Sequence, residues 1–94
     1  MAGDATKLRP LGYLQTTPID VASGLGTIPT GCAEAWIKVN TQAARWRDDG
    51  VNPTTTVGMP LAVGELLVYD GNLSAFRIIS AVAGAELNVT FYGW

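Results

Sequence analysis

Between Arg45 and Gly71 the sequence reads RWRDDGVNPTTTVGMPLAVGELLVYDG, with turn-forming residues at Asp48-Asp49-Gly50, Asn52-Pro53 and Asp70-Gly71. Glycine supplies positive φ, proline presets φ and removes a donor, and Asp or Asn bonds back to nearby backbone. Turns this close together leave no room for a helix of useful length. Short strands and tight loops are what fits between them.

The flanking segments read the same way. Leu11 to Thr17 is a strand with Leu11, Tyr13 and Gln15 on one side and Leu14 and Thr16 on the other, and Pro18 ends it. Ile19 to Gly31 suggests two short strands around a Gly-rich turn. From Ala33 to Asn40 the alternation is clear, Ala35, Ile37 and Val39 against Glu34, Trp36, Lys38 and Asn40. Further strands are expected at Ala44–Asp48, Val57–Leu61, Glu65–Tyr69, around Phe76–Ser80 and from Leu87 to Tyr92. About eight short strands separated by regular turns predict an all-β single domain. The architectures that fit are an antiparallel sandwich or jelly roll, or a small barrel. The domain is expected over 11–94. Residues 1–10 (MAGDATKLRP) are polar and small and read either as a frayed end or as an extended arm crossing to a neighbour.

One phase of these strands predicts the core: Ala35, Ile37, Val39, Trp46, Val68, Phe76, Ile78, Leu87, Val89 and Phe91. The opposite phase carries Trp36, Leu67, Tyr69, Ile79 and Tyr92, and with Trp94 these form the candidate interface. Only 15% of the 94 residues are charged while 48% are apolar, so the surface must leave apolar area uncovered. A homo-oligomer is the economical cover, with a trimer favoured.

The net charge of −2 argues against nucleic acid as a main partner, since that binding depends on many Lys and Arg contacts to phosphate. One cysteine, Cys32, allows no internal disulfide. No apolar core marks Met1–Pro10 as a signal peptide, and no apolar run approaches a membrane span.

The chain has no histidine, which removes the commonest general base and a common metal ligand. Asp48-Asp49-Gly50 resembles a fragment of a calcium loop but lacks the alternating ligands and closing Glu. It reads as a turn, and no metal, cofactor or enzymatic activity is expected. In Arg45-Trp46-Arg47-Asp48-Asp49-Gly50 the two arginines share one face of a strand end and Trp46 points opposite, toward the core. The aspartates lie close enough to pair with a guanidinium. This is either a solvated strand end or a fixed loop offering Arg to a neighbouring subunit or a sugar.

The Arg45–Gly50 turn is followed by Pro53-Thr54, Val57-Gly58-Met59, Gly64-Glu65-Leu66 and a closing Leu87-Asn88-Val89-Thr90. In this pattern, over roughly residues 33–92, the chain resembles small virion structural proteins of tailed bacteriophages. The resemblance implies a protein without enzymatic activity, assembled in the bacterial host cytoplasm and located in the virion. Its implied partner is the major capsid protein or another virion protein. We read it as a head decoration or cement protein that binds and stabilises the capsid lattice through many weak contacts. The alternatives are a head–tail connector or tail subunit, and a carbohydrate-binding module that stacks sugars on exposed Trp36, Tyr13 or Trp94.

Overall fold

From Glu86 to Gly93 every second residue is buried: Leu87, Val89, Phe91 and Gly93 point inward, while Glu86, Asn88, Thr90 and Tyr92 are half-buried on the other face. This period of two is that of a strand with one face on a core. The computed structural model describes residues 7–94 and contains seven strands. They are β1 (Arg9–Thr16), β2 (Cys32–Asn40), β3 (Ala44–Arg47), β4 (Met59–Leu61), β5 (Leu67–Tyr69), β6 (Arg77–Ser80) and β7 (Glu86–Gly93). The four-stranded sheet has the order β1-β7-β2-β5 and the three-stranded sheet the order β4-β3-β6. All pairings are antiparallel. Neither sheet closes on itself, which is the arrangement of a sandwich. Among the described residues the one helical piece is a 3-10 turn at Leu73–Ala75.

The core lies between the layers. Ala35, Ile37, Val39, Leu87, Val89, Phe91 and Tyr69 come from the larger sheet, and Ala44, Leu61 and Ile78 from the smaller. Ser80 is buried among them, and its hydroxyl oxygen accepts from the Ala85 N–H at 3.1 Å. The three-stranded sheet is completed by an irregular segment. Where two strands were expected between Ile19 and Gly31 there is a loop with a single bridge, Ser23 to Ile78. The Ser80 N–H donates to Ile19 at 2.7 Å, and Ser23 and Ile78 exchange bonds of 2.9 Å. The loop therefore covers the β6 edge that would otherwise stay unpaired. Its side chains Ile19 and Leu25 enter the core.

Two sequence expectations are corrected by register. β5 pairs with β2 as Ala35–Tyr69, Trp36–Val68 and Ile37–Leu67. Tyr69 and Leu67 therefore share the core face with Ala35 and Ile37. Val68 faces out beside Trp36 and is 46% exposed. A strand of three residues carries too little alternation to declare its phase, and a slip of one flips every side chain. Val68 thus leaves the predicted core, and Leu67 and Tyr69 leave the predicted interface. In β1 the register shifts between Pro10 and Gly12, so Leu11 packs against the core together with Leu14 instead of standing beside Tyr13. Of the expected arm, residues 1–6 lie outside the described residues, while Arg9 and Pro10 already belong to β1.

A polar clamp on the outer face ties three strands at one end. Glu86 of β7 accepts from Gln15 of β1 at 2.8 Å, from Thr17 at 3.0 Å and from Asn40 of β2 at 3.1 Å. These bonds, led by the one from Asn40, hold the Glu86 carboxyl below its ordinary range. Because the folded pKa is depressed, the stabilisation is present above the unfolded carboxylate pKa and is lost as pH falls through the folded one. Acid titration of stability should therefore flatten in Glu86→Gln relative to the parent, read from urea melts across the carboxylate range. Core truncation gives a second check. Phe76→Ala should cost about 3–5 kcal/mol, whereas Val68→Thr should stay within about 0.5 kcal/mol. Equal losses would restore Val68 to the core.

Candidate functional site: the Arg45–Gly50 turn and its recess

β3 ends in the Arg-Trp-Arg sequence, and the strand alternation separates these side chains. Arg45 and Arg47 stand on the outer face, with Ile79 directly opposite Arg45 and Arg77 opposite Arg47. Trp46 points inward and is half-buried. It stacks on Phe76 with centroids 5.2 Å apart and planes 20° from parallel, and meets Tyr69 edge-on at 5.8 Å. Tyr69 and Phe76 complete the group at 5.0 Å. Aromatic pairs in these offset and edge geometries gain more than their buried area alone.

Each charged group of the turn has a separate partner. Arg47 grips Asp49 with two parallel bonds, Nε to Oδ1 at 3.0 Å and Nη2 to Oδ2 at 2.6 Å. This pairing lowers the Asp49 pKa and raises that of Arg47, chiefly through the hydrogen bonds themselves. Gly50 follows with φ of +85°, a conformation that favours glycine. Asp48 turns the other way and accepts from the Tyr69 hydroxyl at 2.6 Å. Arg45 donates through Nη1 to the Gly58 carbonyl at 3.0 Å. Gly58 itself has φ of +143°, and a Cβ there would press on Arg45, Pro53 and the Trp46 carbonyl at 3.1–3.2 Å.

These ties fold the segment after the turn back across β3. The Val57 N–H donates to the Thr54 hydroxyl at 3.0 Å, and Thr54 N–H to the Val57 carbonyl at 2.9 Å. Between this loop and the turn lies an open recess of about 380 Å³ lined by Trp46, Arg47, Asp48, Asp49, Val57, Gly58 and Met59. Its apolar walls are Trp46, Val57 and Met59, the last two 51% and 57% exposed.

Chemically the recess is suited to receiving an apolar side chain beside a charged rim. Asp48 and Asp49 diverge, one toward a phenol and one toward a guanidinium. Among the described residues no three of His, Cys, Asp or Glu gather into a metal-binding group. Sequence reasoning brought Arg45–Gly50 together but missed Tyr69, Val57, Gly58 and Met59 as parts of the same site. Gly58 between Val57 and Met59 was the available signal, since a glycine within an apolar run often marks close backbone approach.

The remaining expected interface residues are dispersed. Trp36 and Tyr92 stand together on the outer face of the four-stranded sheet, centroids 5.2 Å apart. Ile79 lies on the outer face of the other sheet, and Trp94 is exposed at the chain end. Tyr69 and Leu67 belong to the core side, as described above. No protein-family description, no curated protein and no solved structure matches this chain.

Tyr69 offers the sharpest test of the site. Burial, with help from Asp48, pushes its hydroxyl up to about 12 from an ordinary 10.0. The folded state thus holds the proton that the unfolded state releases first. Stability is complete below pH 10 and should fall as pH rises from there toward about 12. Tyr69→Phe should abolish that alkaline slope and lower stability at neutral pH by about 1–2 kcal/mol. Denaturant melts between neutral pH and pH 12 read both effects.

Proposed function

We propose that this protein is a non-enzymatic structural component of a tailed-phage virion, a head decoration or cement protein that binds and stabilises the capsid lattice. The observation that carries the reading is the recess beside the Arg45–Gly50 turn. Its apolar walls include the exposed Val57 and Met59, and the Arg47–Asp49, Tyr69–Asp48 and Arg45–Gly58 bonds frame it. A socket that needs no ordering on binding saves the entropy that a mobile loop would lose. An apolar side chain from a neighbouring subunit fills it, and repetition over a lattice turns modest single affinities into firm attachment. The sequence pattern that resembles phage virion proteins runs through this turn and through the Val57-Gly58-Met59 wall, in keeping with the same reading.

The partner is the major capsid protein or another virion protein. Self-association belongs to the proposal as well, a trimer being favoured, with about 1,200 Å² or more buried in total by each pair of subunits. Light scattering at micromolar concentration should return the trimer mass, and a strict monomer would remove that part. Mass spectrometry of purified particles should find a copy number that follows the capsomers; a number fitting a single ring would move the protein to the connector or tail. Met59→Asp should leave the melting temperature nearly unchanged and reduce incorporation into particles about tenfold or more, the effect of losing one central apolar contact. Undiminished incorporation would dismiss the recess as the docking site.

A further inference from the structure

The outer face of the four-stranded sheet carries a second, differently built surface. One row of paired residues crosses it from Tyr13 on β1 through Thr90 on β7 and Trp36 on β2 to Val68 on β5. Directly paired residues point to the same side of a sheet, so Tyr13 and Trp36 stand on one face with Thr90 between them. They are 60% and 40% exposed. Two strand spacings separate them, about 9–10 Å.

The Trp36 ring is held in place. Its Nε1–H donates to Glu34 Oε1 at 2.9 Å, and Tyr92 braces it at 5.2 Å. The Tyr13 hydroxyl is likewise anchored, donating to Asn88 Oδ1 at 2.7 Å. Beside the indole lies a shallow hollow of about 180 Å³ lined by Trp36, Lys38, Leu66, Asn88 and Thr90. This is smaller than the ~300–1,000 Å³ of sites that enclose a drug-sized ligand. It gives room for one ring resting on the surface.

Two kinds of occupant suit an exposed aromatic row, a protein surface or a sugar. The polar residues decide between them. Glu34 and Lys38 flank Trp36 along β2, and no described carboxylate forms a salt bridge with Lys38. Pressing a second protein onto this face would bury these charges at the centre of the contact. Interface cores are depleted of such residues, because desolvating a charge is costly unless it is paired. A pyranose ring has an apolar C–H face that lies on an indole and hydroxyls around its rim that bond Lys38, Glu34 and Thr90 while water still reaches them. A second ring of the same extended chain then reaches Tyr13.

From this geometry we infer that the outer face of the four-stranded sheet is a glycan-binding site. It takes a neutral hexopyranose oligosaccharide lying across β2, β7 and β1, stacked on Trp36 and Tyr13. The inference goes beyond the capsid-binding reading and uses none of the recess residues.

The test is titration of the full chain with cellotetraose, chitotetraose and maltotetraose, observed through the Trp36 indole N–H resonance in 1H–15N spectra. At least one should shift that resonance saturably. Trp36→Ala should weaken the binding about tenfold or more, as the loss of an aromatic platform implies. Tyr13→Ala should weaken it for the tetrasaccharide but not for the matching disaccharide. Val82→Ser, an exposed apolar change away from this row, should bind as the parent does. No saturable shift with any of the sugars would overturn the inference. So would a self-associated protein in which Trp36→Ala releases monomers, since the face would then be covered by a second copy. Neither result bears on particle incorporation through Met59, so the two proposals fail separately.

Discussion

Tyr69 stands where the two sheets and the turn meet, and much of the structure depends on its placement. Its ring lies on the core side of β5 and packs against Trp46 from the opposite sheet and Phe76 just before β6. Its hydroxyl reaches out of the core to Asp48. The apolar body thus helps to hold the layers together while the polar tip fixes the turn, a division of labour open to tyrosine and not to phenylalanine. Burial of the ring raises the cost of ionising the phenol, which keeps the donor in place further into the alkaline range.

The few charged groups of the turn and of the Glu86 clamp each have a structural partner, though the Nε of Arg45 is buried without one among the described residues. Arg47 and Asp49 satisfy each other, Arg45 caps a carbonyl, and Glu86 collects donors from two neighbouring strands and the loop after β1. Their value lies less in net stability, which exposed pairs add to only slightly, than in geometry. The Arg47–Asp49 fork sets the direction of the turn, and the turn walls the recess. The Glu86 clamp ties the ends of β1, β7 and β2 on the face that carries Trp36. Both proposed binding surfaces therefore rest on hydrogen-bonded supports.

The two surfaces also differ in the way their proposed occupants require. The recess is apolar within a charged rim and suits a side chain taken out of water. The sheet face is flat, with aromatic rings set among polar groups, and suits a ligand that remains hydrated at its edges.

Long strands are legible in the sequence because they contain enough alternation to declare a phase. Residues 33–40 and 87–92 carry their inward faces in the residue pattern itself, and the density of turns excludes long helices just as plainly. The arginine–carboxylate pairing of the central turn is readable too, because Arg47 and Asp49 lie two residues apart. Phase in β5 is not, since three residues fit either face, and only pairing with Ala35, Trp36 and Ile37 decides that Tyr69 goes in and Val68 out. The register shift after Pro10 and the loop that replaces two expected strands near Ser23 are settled by what lies beside them. For the same reason the Tyr13–Trp36 row has no signature in the chain: its members are far apart in sequence and share a face only because both pair with Thr90. What sequence alone determined was local, namely where strands run, where they turn and which close neighbours pair. What tertiary structure decided was which distant residues share a face, because that depends on the packing of whole sheets.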